Sequence, residues 1–249
     1  MLARICEKVA DANVDQVTAA LGLDSRIGKK YLKGSIGYGG PCFPRDNRAL
    51  AAFAQSLGEP AHLAEATDRY NRMQVTYLAD FARKLLKPNG RVSILGLSYK
   101  PASDVIEESQ GYLLSKKMSE EKIPTVVYDP ASLSNAKTSL NGTVQFASSA
   151  KECIQNSDLV IIATPWEDFK ALRPEDFFRG STVTVIDCWR MLSNVLKEAI
   201  EWPVIHSVWT KSYDQARTQN YISCFSFFNI VFSGFFSPAI YCVCVGMFE

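Results

Sequence analysis

From Gly90 onward the chain repeats one pattern. Short runs rich in Val, Ile and Thr, namely RVSILGL, PTVVYD, TVQFA, DLVIIAT, TVTVID and PVIHS, alternate with helical or mixed segments at 107–119, 131–140, 149–156, 167–178 and 190–201. Runs this short and this apolar are strands buried on both faces. Strands that alternate with helices predict a parallel sheet covered by those helices. Ligands of such sheets sit beyond the carboxyl ends of the strands. The residues to inspect are therefore Ser98-Tyr99-Lys100, Asp129-Pro130, Pro165-Trp166 and Cys188-Trp189-Arg190.

The first ninety residues have a different texture. Leu2, Ile5, Val9, Val14, Val17 and Leu21 fall near helical spacing, with a break around Asp11–Asn13. Residues 22–47 form a loop region rich in Gly and Pro, and helical character returns over 47–56. Pro60 then opens a helix whose stripe is Leu63, Ala66, Tyr70, Met73, Tyr77, Phe81 and Leu85, stopped at Lys87-Pro88-Asn89-Gly90. At about 25 residues it is roughly 37 Å long, enough for a spine between two domains. The stripe is read as core or dimer packing.

Composition excludes some functions. A net charge of +1 with no basic stripe gives no support to nucleic-acid binding. Seven cysteines, no CxxC among the first four and only two histidines, His62 and His206, argue for free thiols and against a metal site. The N-terminus is not a signal peptide, and the reading is a cytoplasmic protein. Residues 221–248 carry no charge at all. That stretch is read first as a non-native or disordered tail and second as a membrane anchor.

The stretch GSIGYGGPCFPRD, Gly34 to Asp46, carries the most distinctive cysteine, Cys42. A nucleophilic thiolate needs access and close approach of its substrate. Gly37, Gly39 and Gly40 leave room for a substrate against backbone, and Pro41 and Pro44 stiffen the loop. Asp46 is placed either to cap the next helix or to act as a base on water near the sulfur. Arg45 and Lys33 supply positive charge. A tight turn that merely buries a cysteine fits these residues equally well.

SRIGKKYLKGSIGYGGPCFPRD resembles the active-site cysteine segment of the UDP-glucose/GDP-mannose (nucleotide-sugar) dehydrogenase family. VSILGLSYKPASDVIEES, DLVIIATPWEDFK and VIDCWRML resemble successive motifs of that family's C-terminal nucleotide-binding domain. The resemblance runs in register over residues 2–207. It implies an α/β fold: an all-helical central dimerisation domain over 1–88, joined by the long helix to a Rossmann-like, parallel-sheet UDP-binding domain over 89–212, followed by an atypical hydrophobic tail over 213–249.

The resemblance also implies an activity, the oxidation of a sugar C6 alcohol to the uronate with NAD as cofactor, which feeds polysaccharide biosynthesis. Cys42 would be the nucleophile and Asp46 the acid that assists water or proton transfer. Arg26, Tyr31, Lys33, Tyr38, Gly39, Phe43, Tyr99, Lys100 and Arg190 would bind the nucleotide sugar, with Arg26 reaching across to a partner subunit. Arg45 would lie near the cofactor phosphates. The implied partners are the nucleotide-sugar substrate and a second copy, paired through the central helices.

Two departures qualify this. No GxGxxG follows a strand anywhere, so the family's N-terminal NAD domain is expected to be missing, and with it its catalytic Lys and Asn. Glu107 stands where many members have an arginine. Three readings stay open: a dehydrogenase piece inactive alone, a non-catalytic UDP-sugar-binding or dimerisation module, and a thiol hydrolase that uses Cys42 with His62 or His206.

Overall fold

The computed structural model describes residues 1–155, 157–177, 183–192 and 205–206. The expectations for residues 213–249 lie outside these. Helices α1 (Leu2–Cys6) and α2 (Val14–Leu21) are separated at the break seen in the sequence. Asn13 caps α2, its side chain accepting from the Asp15 N–H. Helices α3 (Phe43–Ser56) and α4 (His62–Leu85) then pack as a pair.

All six predicted strand runs form strands: β1 (Val92–Leu95), β2 (Thr125–Tyr128), β3 (Gln145–Phe146), β4 (Leu159–Ile162), β5 (Thr184–Asp187) and β6 (Ile205–His206). They build one parallel sheet in the order β3-β2-β1-β4-β5-β6. The order reverses between β1 and β4, which opens a crevice beyond their carboxyl ends. Between the strands run α5 (Gln110–Glu120), α6 (Leu133–Leu140), α7 (Ala150–Ile154), a 3₁₀ turn at Glu167–Ala171 and α8 (Pro174–Phe177).

Alternation along each strand feeds two cores. Val92, Ile94, Val127, Leu159, Ile161 and Ile186 join Leu114 and Met118 of α5. Leu95, Val126, Val160, Ile162 and Val185 join Cys153, Phe169 and Phe177 on the other face. The first core continues into Val75, Leu78, Ala79 and Ala82 of α4 and into Ala3, Cys6, Val14 and Ile36. The helical half and the sheet half thus share one apolar core.

That packing divides the expected stripe on α4. The buried face is Ala64, Asn71, Gln74, Val75, Leu78, Ala79 and Ala82. Leu63 is 81% exposed and Met73 51%, while Tyr77, Phe81 and Leu85 lie half-buried at the margin of the core. Helix α4 packs against α5, and three alanines, Ala64, Ala79 and Ala82, make up much of its buried face. A pattern read from size and hydrophobicity alone picks the large residues and misses the small ones.

Helix α3 also begins earlier than predicted. Cys42 is its N-cap residue, and the Asp46 N–H closes the first turn on the Cys42 carbonyl at 2.8 Å. Pro44 in the first turn has no N–H to lose and a φ suited to the helix. Asp46 is therefore a first-turn residue and not the cap.

The sheet is tied at its carboxyl edge by Asp129, just past β2. Asp129 Oδ2 accepts from the Leu97 and Ser98 N–H groups at 2.7 and 2.9 Å, from Ser98 Oγ at 2.9 Å and from Trp166 Nε1 at 3.1 Å. Its Oδ1 accepts from the Ala131 and Ser132 N–H groups at 2.9 and 2.8 Å. Burial pushes this carboxyl upward, but the backbone N–H groups of Ser98, Ala131, Ser132 and Leu97 outweigh it and hold it below 3.8.

Candidate active site

Of the four described cysteines, Cys6, Cys153 and Cys188 are buried and Cys42 is exposed. Burial pushes the Cys153 thiol up to about 12 and raises Cys188 as well, so neither supplies a thiolate near neutrality. Cys42 stands at the start of a 14-residue helix and makes no side-chain cap bond. Its thiol is thus available at the helix end that favours an anion.

Around it, Arg45 Nε donates to Asp46 Oδ1 at 3.0 Å, and both side chains are exposed. The bond to Asp46 raises the Arg45 guanidinium above its usual range, and Cys42 and Glu107 act on it in the same direction. Phe43 is exposed and stands edge-on to the Tyr38 ring, with centroids 6.3 Å apart at 85°. The Tyr38 hydroxyl accepts from Asn47 Nδ2 at 2.8 Å, and burial raises it above its ordinary value.

The glycines before Cys42 face protein. A Cβ on Gly39 would lie 2.4 Å from the Glu108 carbonyl oxygen. Gly40 has φ +87°, and a Cβ there would lie 2.7 Å from the Tyr99 ring. The Gly40 N–H donates to the Glu107 carbonyl at 2.9 Å. The loop is bare so that it can seat on the segment between β1 and α5, which brings Cys42's loop to the carboxyl edge of the sheet. Tyr99 is half-buried there, and the exposed Lys100 has its Nζ 5.4 Å from the Tyr99 ring centroid.

Tyr31 is 88% exposed, and Lys33 is exposed. Arg26 is exposed and pairs with Asp24, Nε to Oδ1 at 3.1 Å and Nη2 to Oδ2 at 2.8 Å. Arg190 joins the two halves: it bonds both carboxylate oxygens of Asp15, and its Nη2 donates to the Gly34 carbonyl at 2.8 Å.

Sequence reasoning missed Asn71 and Gln110. The Tyr38 carbonyl accepts from Asn71 Nδ2 at 2.8 Å and from Gln110 Nε2 at 3.0 Å. A signal existed, since Asn71 and Gln74 lie on the face of α4 that small residues mark as buried. Arg48 adds a second link, 3.4 Å from Glu108 and 3.7 Å from Asp68. Helices α3 and α4 pack together across the short connection 57–61 and so run antiparallel, which puts His62 at the start of α4 toward the end of α3 away from Cys42.

Among the described residues no dinucleotide cradle forms. No glycine fingerprint follows β1, and the turn before α5 is occupied by the Cys42 loop. Among the described residues no helix is long and apolar enough to cross a membrane.

A parallel sheet in this strand order, sharing its core with a helical unit that carries an exposed cysteine, defines an open-sheet α/β protein with an accessible thiol near its sheet. The central-domain model of the UDP-glucose/GDP-mannose dehydrogenase family matches residues 1–73, and its UDP-binding-domain model matches residues 93–194. The chain belongs to this family. UDP-glucose 6-dehydrogenase AglM of Haloferax volcanii is 35% identical over 175 residues, covering 70% of this chain and 40% of that protein. UDP-glucose 6-dehydrogenase YwqF of Bacillus subtilis is 34% identical over 171 residues, covering 68% and 39%. The structure of a UDP-glucose dehydrogenase from Pyrobaculum islandicum superposes with a TM-score of 0.72 at 26% identity, over 84% of this chain and 47% of that one. The chain therefore spans less than half the length of these relatives.

Proposed function

We propose that this chain supplies the cysteine site and the UDP-sugar site of a nucleotide-sugar 6-dehydrogenase, with UDP-glucose as the default substrate. The observation that carries the reading is Cys42, exposed at the N-terminus of α3 within the family-matched region, with Arg45 and Asp46 in the next turn. Two covalent steps fall to Cys42. Its sulfur bonds to the C6 carbonyl carbon of the aldehyde, giving a thiohemiacetal, and later it leaves as thiolate when water cleaves the thioester to the uronate. Asp46 orients that water and takes its proton. Tyr99 and Lys100 close over the nucleotide sugar, with Arg190 holding the helical half against them. Oxidation of the alcohol to the aldehyde and of the thiohemiacetal to the thioester would each release a hydride, which NAD held by a separate dinucleotide-binding unit would accept.

Two corollaries follow. Turnover requires that complementing unit, and the protein works as a dimer paired through the exposed apolar residues of α3 and α4, with Arg26 reaching the partner's sugar site. The test is NADH formation by the purified 249-residue chain in UDP-glucose and NAD. None is expected, and its appearance would overturn the requirement for a second unit. Calorimetry with UDP-glucose should show binding that Lys100→Ala weakens; no binding by the wild type would reject the substrate site. A non-catalytic UDP-sugar-binding module is the second reading, favoured by the lack of a dinucleotide cradle among the described residues. Restored turnover on adding a dinucleotide-binding domain, lost again in Cys42→Ser, separates the two.

A further inference from the structure

We propose that Asn71 is a positioning residue for the Cys42 thiol. The proposal rests on the reading of Cys42 as the nucleophile. Asn71 is a buried amide on α4, and both ends of its side chain are committed to one residue. Its Oδ1 accepts from the Tyr38 N–H at 2.9 Å, and its Nδ2 donates to the Tyr38 carbonyl at 2.8 Å. An amide that pairs with the N–H and the C=O of the same residue fixes both the place and the tilt of that backbone unit. Gln110, from the sheet half, donates to the same carbonyl at 3.0 Å. Gly37 is shaped by this clamp, since a Cβ there would lie 2.4 Å from Asn71 Oδ1.

Tyr38 passes the constraint on. Its hydroxyl accepts from Asn47 at 2.8 Å, and its ring stands edge-on to Phe43. Phe43 and Asn47 both lie in the first turns of α3, the helix that Cys42 caps. The path from Asn71 to Cys42 therefore runs through two hydrogen-bonded residues and one ring contact, in a polar network closed to slack. Asn71 moves no proton. It sets where the start of α3, and with it the sulfur, stands relative to Arg45 and Tyr99.

Alkylation of Cys42 in the full chain tests this, read by mass spectrometry of the peptide that carries it. Iodoacetamide is neutral and iodoacetate anionic, so their rate ratio reports the charges around the sulfur and not merely its access. Asn71→Ala should change that ratio by about two- to fivefold, the weight of one charge near a helix terminus. Tyr38→Phe should change it in the same direction, and the double variant by less than the product of the two. Val75→Ala, on the same helix, should lower the unfolding midpoint and leave the ratio as in the wild type. If Asn71→Ala does not fold, Asn71→Ser, whose shorter side chain falls short of both Tyr38 groups, carries the same expectation. An unchanged ratio in the Asn71 variant, or an equal change in Val75→Ala, overturns the positioning role alone. A wild-type ratio equal to that of glutathione overturns the poised nucleophile, and the positioning role with it.

Discussion

Arg190, just past β5, grips Asp15 in the first turn of α2 with two hydrogen bonds, Nε to Oδ2 at 2.7 Å and Nη2 to Oδ1 at 2.8 Å. The same guanidinium donates to the carbonyls of Gly34 and Cys188 at 2.8 and 3.1 Å. Its side chain is only 9% exposed, and its backbone holds φ +57°. A residue 175 positions away in sequence thus locks the helical half to the end of the sheet. Arg190→Ala should cost about 1–3 kcal/mol, because it strands two buried carbonyls. Asp15→Asn should cost about 1 kcal/mol or less, because Asp15 is half exposed. Urea unfolding midpoints of the two variants test the order.

Asp129 makes the acid limb of stability. Its folded carboxyl lies below 3.8, so its contribution is complete above that value and is lost as pH falls through the lower, folded one. Asp129→Asn should cost about 3 kcal/mol near neutrality, since several N–H groups lose a charged acceptor. The gap in thermal midpoint between wild type and variant should narrow below about pH 4. Asp187 runs the other way: burial raises its carboxyl, so protonation on the acid side favours the folded chain. A gap for Asp129→Asn that stays constant from pH 7 to pH 3 would count against the assignment.

Gly40 should not tolerate alanine. The left-handed backbone alone costs about 1–2 kcal/mol, and the added Cβ would lie 2.7 Å from the Tyr99 ring. The loop must then lift from the segment before α5. Proteolysis of the native chain within residues 34–42 should rise in Gly40→Ala, and an unchanged cleavage pattern would show that the seat is not tight.

Leu50 and Phe53 on α3, Leu57 at its C-cap, and Leu63 and Met73 on α4 are each more than half exposed. Pairing of two copies through the central helices would cover them, at roughly 1.5–3 kcal/mol for each large side chain fully buried. Phe53→Asp and Leu63→Asp should shift the protein from dimer to monomer in analytical ultracentrifugation at micromolar concentration. A wild-type chain that sediments as a monomer would reject the pairing.

The sequence by itself determined the sheet. Its six strands follow from short runs of Val, Ile and Thr, because a buried parallel strand needs apolar, β-branched side chains on both faces. The break between α1 and α2 was legible at Asp11–Asn13 because Asn13 is a side-chain cap, a strictly local device. Cys42 stood out for a similar reason: its glycines and prolines mark a loop that local packing of the chain does not require.

Tertiary structure decided what those glycines face and where the long helix is buried. Gly39 and Gly40 are small because Glu108 and Tyr99, some sixty residues further on, occupy the space beside them. Leu63 and Met73 look like candidates for a core or a dimer face, and the fold buries Val75, Leu78, Ala79 and Ala82 of the same helix instead. Asn71 reads as an ordinary polar helix residue, and only the fold brings Tyr38, thirty-three positions earlier, onto both ends of its amide. Contacts of this kind depend on which surfaces meet, and a one-dimensional pattern of hydrophobicity carries no record of that.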